Sequence, residues 1–182
     1  GADVAAALDL PRADGWYSWT VAASATGART CCYDWHRGQS SKQRACDLDG
    51  ERGGYTIGGD CLLDSDLVRV YVRMSDGQPE RIRALNADCP VTTSSEIRDL
   101  GAVDAEASVR LLRSQISDNR HGNSEILAAI PMHESDAAFD ALTSLLEDRR
   151  QSMDLREQAL FWLAQTDTDK AFEYIYRLLS IR

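Results

Sequence analysis

The sequence predicts an α+β protein: an antiparallel β domain held by disulfides over residues 1–93, then a right-handed stack of antiparallel helix pairs over residues 94–182. Three observations point there. Apolar residues recur at a spacing of two in the first half and of about 3.6 in the second. All five cysteines, Cys31, Cys32, Cys46, Cys61 and Cys89, lie in the first half. The second half also matches itself at a fixed offset, the mark of a repeated helical unit.

The composition is that of a folded chain, with 182 residues, 43% of them hydrophobic and 27% charged. A net charge of −9, with basic residues scattered, would repel a phosphate backbone and argues against nucleic acid as a partner. No apolar run approaches the eighteen or so residues that a membrane span needs. The chain opens at Gly1 with an Ala-rich lead-in, a pattern left by signal-peptide cleavage or by trimming of a longer chain. Together with the clustered cysteines, this favours a periplasmic or secreted location. Five is an odd number, so one thiol is left over or bonds to another chain, and the connectivity is open.

Trp16 to Val21, rich in aromatic and β-branched residues, reads as the first strand, and Ala28 to Trp35 as the second. Arg37 to Ser41 reads as a turn, which would bring Cys32 and Cys46 opposite each other across a hairpin. Asp49 to Asp60 holds five glycines and reads as a loop. A clearer hairpin follows. Val68, Val70, Val72 and Met74 share one face, Ser75-Asp76-Gly77 turns the chain, and Arg81 to Leu85 returns. Ser94 and Ser95 read as N-caps at the entry to the helical half. Helical patterns then occupy residues 104–117, 123–132, 136–149, 154–165 and 169–180.

At an offset of 33 residues Leu127 falls on Leu160, Ile130 on Leu163, Asp136 on Asp169, Ala138 on Ala171, Phe139 on Phe172, Leu142 on Ile175, Leu145 on Leu178 and Leu146 on Leu179. Each unit is a helix, a polar turn and a second helix, and such units bury their apolar faces by stacking. The run from Ala138 to Leu142 through Leu145-Leu146-Glu147-Asp148, the entry Leu155-Arg156-Glu157-Gln158-Ala159, and the return from Asp169 to Leu179 resemble HEAT-like repeats of the type named after phycobilisome lyases. With a cysteine-bearing β domain in front, the chain is similar to small exported bacterial HEAT-repeat proteins of unassigned role. The resemblance implies a HEAT-like α-solenoid that scaffolds or binds a protein partner. Nothing in the residues marks a chromophore site.

The expected function is therefore non-catalytic: an adaptor acting outside the cytoplasm through a helical surface. Its candidate contact residues are Asp140, Ser144, Glu173, Tyr174 and Arg177 on the second helices, with Trp162 at the end of the stack. Phe161 and Trp162 point about 100° apart on a helix, so only one of them can face the core. The alternative is a thiol-dependent redox sensor or enzyme using Cys31 or Cys32 beside His36, although neighbours bonded to different partners is the simpler reading. His36, His121 and His133 lack ligand spacing, and Asp47-x-Asp49-Gly50 lacks the closing Glu of a calcium loop, so no metal and no cofactor is expected.

Overall fold

The computed structural model describes residues 8–36, 39–41, 46–50, 54–57, 65–117, 122–166 and 168–181, with the backbone alone over 31–36, 39–41 and 54–57. β1 (Gly15–Ala22) sends Tyr17, Trp19 and Val21 to one face and Trp16 and Ser18 to the other, and all five are buried. A one-turn helix, α1 (Ala25–Ala28), capped by Ser24, leads into β2 (Thr30–His36). The short strands β3 (Gln39–Ser41), β4 (Cys46–Asp47) and β5 (Gly54–Ile57) follow. β6 (Leu67–Ser75) and β7 (Gln78–Asn86) form a hairpin whose two-residue turn, Asp76-Gly77, has φ of 52° and 72°. Those are the values of a turn that matches strand twist, and glycine enters that region without steric strain. β8 (Val91–Thr92) and β9 (Ile97–Ala102) complete the strands.

The main sheet is mixed, in the order β7-β6-β1-β9, with β9 parallel to β1 and the other pairs antiparallel. β3, β2 and β5 form a second, antiparallel sheet, and β4 pairs in parallel with β8. The helices that follow are α2 (Ala105–Ser114), α3 (Asn123–Ala129) with a 3₁₀ turn at Ile130–Met132, α4 (Asp136–Glu147), α5 (Met153–Gln165) and α6 (Asp169–Ser180). Side chains of Asp104, Ser135, Ser152 and Thr168 cap α2, α4, α5 and α6 by accepting first-turn amides.

One hydrophobic core runs from Tyr17, Trp19, Val70 and Ile82 on the sheet through Val109, Leu112, Ile126 and Leu142 to Leu163 and Ala171, so residues on both sides of position 93 share it. Trp16, Tyr71, Leu85, Leu48, Cys46 and Cys89 fill a smaller cluster on the opposite face. α1 sits where sheet and helices meet. Ser24 Oγ donates to the Pro131 carbonyl at 2.6 Å, and Thr26 Oγ1 to the Gln165 carbonyl at 3.0 Å. Gly27 admits no side chain there: a Cβ would lie 2.2 Å from the Met132 carbonyl oxygen.

Several sequence expectations need correction. The class is α+β, but the helices do not form a right-handed solenoid. α2 and α3 are laid on the sheet, against β1 and β7, and Pro131 tightens the end of α3 into the 3₁₀ turn, so the first pair is anchored to strands. Cys46 and Cys89, both buried, are not bonded to each other, so no disulfide joins two cysteines whose side chains are described; Cys46 itself is disulfide-bonded. Cys32 and Cys46 do not face each other across a hairpin, because Cys32 pairs with Tyr55 and Cys46 with Val91. The glycine-rich stretch after Asp49 contains β5, and Gln39 to Ser41, expected in a turn, is β3. Ser94 and Ser95 precede a strand, β9, and cap no helix; Asp104 caps the first long one.

Candidate interaction surface

The apolar residues of α6 cover too wide an arc for one contact. In angular order they run Tyr174, Leu178, Ala171, Ile175, Leu179, Phe172, Tyr176, which is more than half the circumference. The inner part is spent on the fold. Ala171 is buried, and the Tyr174 ring meets Phe139 edge-on at 5.8 Å while its hydroxyl donates to Glu147 Oε1 at 2.7 Å. Burial, reinforced by the neighbouring Glu147 carboxylate, pushes the Tyr174 phenol up to about 12.

The outer part faces solvent. Phe172, Tyr176 and Leu179 are 71%, 64% and 77% exposed, and the Phe172 and Tyr176 rings stack at 6.4 Å. With Ala164, Thr168 and Ile175 they line an open apolar groove. α5 extends the surface with Leu160 and Phe161, the latter edge-on to Trp162 at 5.2 Å. Asp169 and Glu173, both exposed, border Phe172 and Tyr176 on the polar side of α6.

Of the residues singled out from the sequence, Asp140 and Ser144 are exposed on α4, and the Ser144 hydroxyl donates to the Ala141 carbonyl at 3.0 Å. Glu173 and Arg177 are exposed at the equivalent places on α6, where the Arg177 guanidinium donates to the Glu173 carbonyl at 3.5 Å. Tyr174 is half-buried against α4, as described. Trp162 is half-buried and packs on the core, so Phe161 is the outward member of that pair. Phe172 and Leu179 are not distinguished by the sequence, because the 33-residue register equates them with Phe139 and Leu146, whereas those two are not exposed in the structure. The width of the apolar arc on α6 was the available signal.

Cys31 and Cys32 lie on β2 with side chains outside the described residues, as Cys61 does entirely. Cys89 Sγ lies 3.4 Å from the Thr30 carbonyl in the smaller cluster. The described residues hold no group of three or more His, Cys, Asp or Glu able to take a metal, and no helix among them is long and apolar enough to cross a membrane. One polar chain resembles catalytic machinery but is sealed: Trp19 Nε1 donates to Ser108 Oγ at 2.8 Å, and Ser108 Oγ lies 2.8 Å from His133 Nε2. His133 Nδ1 donates to the Ala129 carbonyl at 2.9 Å, and in the neutral ring, which burial favours, Nε2 accepts the serine proton. Ser108 and His133 are 0% and 2% exposed, which leaves a substrate no approach, and the chain works as a strut between β1, α2 and the turn before α4. Compared with protein-family models, with curated proteins and with solved structures, the chain matches none.

Proposed function

We propose that the protein is a non-catalytic interaction module that binds a protein partner on the outer face of α5 and α6. The observation that carries the reading is the exposure of Phe172, Tyr176 and Leu179, with Leu160 and Phe161 on the neighbouring helix, on a chain of net charge −9: among the described residues, most of the large apolar side chains that are exposed lie on α5 and α6. Large apolar and aromatic groups gathered in one exposed patch mark interaction sites on soluble proteins, and aromatic residues dominate the energy of such contacts. Asp140, Glu173 and Arg177 lie on the exposed sides of the neighbouring helices, where they would form a polar rim.

A photo-crosslinking amino acid at position 176, with a control at exposed Arg149, tests this in the native cell. The expected result is one discrete adduct from position 176, lost when Phe172→Asp and Leu179→Asp are introduced, with an unchanged thermal midpoint. Equal adducts from positions 176 and 149, or adducts indifferent to the two aspartates, would refute it.

A further inference from the structure

The molecule contains its own example of what seats on such a face. α4 and α6 are both 12 residues long, start 33 residues apart, and begin from a hydroxyl cap, Ser135 or Thr168. The face of the α3–α4 pair that corresponds to the open groove is covered by α5 and the start of α6. Leu127 and Ala128 on α3 are 0% and 2% exposed, and Leu142, Thr143 and Leu145 on α4 are buried. Two cations hold the cover in place. Arg156 Nε, on α5, donates to the Leu146 carbonyl at 2.8 Å. Lys170 Nζ, in the first turn of α6, lies 4.3 Å from the centre of the Phe139 ring and 3.7 Å from Asp136 Oδ1.

The principal receiving groups have counterparts 33 residues on. Phe172 and Asp169 stand where Phe139 and Asp136 do, Leu179 where Leu146 does, and Leu160 and Phe161 where Leu127 and Ala128 do. All five are exposed. From this correspondence we infer that the partner is an antiparallel helical hairpin with an apolar inner stripe, whose second helix opens with a lysine or arginine that sits over Phe172 and beside Asp169. The inference rests on reading this face as an interaction surface and adds the class of partner.

The charge pattern agrees. Asp169 and Glu173 border the exposed ring, so a cation arriving there meets a carboxylate and an aromatic face together, as Lys170 does on α4. A second copy of the chain fits less well. Its own α5–α6 pair already has its inner face on α4, with Lys170 on Phe139, and cannot offer that face without leaving its seat.

The probe is a synthetic peptide with the sequence of residues 152–181, added to the full chain carrying a fluorine label on Phe172 and labelled leucine methyls. Saturable shifts at Phe172 and Leu179 are expected, without change at Phe139 or Leu145. Lys170→Glu in the peptide should weaken binding roughly fivefold to tenfold, and Asp169→Lys in the full chain should recover most of that loss. Indifference to the charge swap overturns the inference, as do shifts confined to Phe139 and Leu145, which would report displacement of the chain's own pair. Equally tight binding by residues 168–181 alone overturns the hairpin, and protection of Phe172 by concentration-dependent dimerisation of the chain makes a second copy the occupant.

Because a short peptide can remain unfolded, a second variant carries the hairpin in cis, as a duplicate of residues 149–181 placed after Arg182. Its Phe172 should become protected and its unfolding should stay a single transition with a raised midpoint. Separate unfolding of the duplicate, with Phe172 still exposed, overturns the inference. If these arms fail while the position-176 adduct persists, the surface binds a partner of another class; loss of the adduct as well removes the surface itself.

Discussion

The buried chain Trp19–Ser108–His133 makes the stability of the fold depend on pH in a defined window. Burial, only partly offset by the hydrogen bonds to Ala129 and Ile130, lowers the His133 imidazole from its ordinary 6.5 to about 4. The unfolded chain therefore takes up a proton at higher pH than the native one. Stability from this group is complete above about pH 6.5 and drains as the pH falls toward 4. The full shift corresponds to roughly 3 kcal/mol, and between about pH 7 and pH 5 the loss is about 2 kcal/mol, a sizeable fraction of the stability of an ordinary domain. The structural cause is specific. Ser108 already accepts the Trp19 indole proton and gives its own to His133 Nε2, so a proton on Nε2 places two hydrogens in one contact. Denaturant unfolding followed by tryptophan fluorescence across this range should show the loss, and His133→Gln should flatten it even though it lowers stability at neutral pH. Asp49 is also shifted, well below the ordinary carboxylate range, first by the Ser94 amide, but its contribution is lost only below about pH 4 and does not overlap the histidine window. A native His133 that titrates near 6.5 by NMR, or an unaltered pH slope in the glutamine variant, would refute the reasoning.

Gly27→Ala should destabilise the fold by roughly 2–4 kcal/mol in thermal or denaturant unfolding, since the new methyl meets the Met132 backbone and Val68 together. Asp49→Ala should cost roughly 2 kcal/mol, because its carboxylate accepts from Trp16 Nε1 at 2.9 Å, Thr93 Oγ1 at 2.9 Å and the Ser94 amide at 2.6 Å, and the indole would be left without its acceptor. Glu125→Gln should lower the midpoint by an amount equivalent to roughly 1–3 kcal/mol, for that carboxylate accepts the Ile82 amide at the sheet edge and lies 3.3 Å from Arg81 and 3.7 Å from the buried Arg83. Phe172→Asp should leave the unfolding curve within about 0.5 kcal/mol of wild type, as expected of a mostly exposed side chain, while abolishing the position-176 adduct.

The parts legible in the sequence are those set by local pattern. Val68, Val70, Val72 and Met74 alternate and are all buried on one face, and Asp76-Gly77 makes the turn between their strand and the next. The helix bounds at Asp136 and Asp169 follow from Ser135 and Thr168, hydroxyl residues placed to receive the first-turn amides. What escaped depends on distant partners. Ile97 to Ala102 carries no strand alternation, being exposed for almost its whole length, and it is a strand only because β1 offers its edge in parallel. Arg83 has the composition of a surface strand position and is buried, because β7 runs beside Glu125 of α3 and its guanidinium donates to the Gly50 carbonyl at 3.2 Å.

The same division explains why the sequence draws attention to Tyr174 and Trp162, which are half-buried, and not to Phe172 and Leu179, which are exposed. Phe139 and Phe172 are the same residue type at the same place in helices of the same length, so local pattern treats them alike. Their environments differ because α5 and the first turn of α6 lie over α4, whereas no described element lies over the outer arc of α6. Periodicity reports that a face is apolar and is silent on what covers it. An apolar arc wider than its internal contact is therefore informative in itself: Phe172, Tyr176 and Leu179 add little to the stability of this chain, since burial is what would make them stabilising, and they are mostly in water. Replacing them with polar residues should leave the fold intact, which is the outcome expected if, as proposed, their apolar character serves a contact outside the chain; a fall in the thermal midpoint by several degrees would instead assign them to the core.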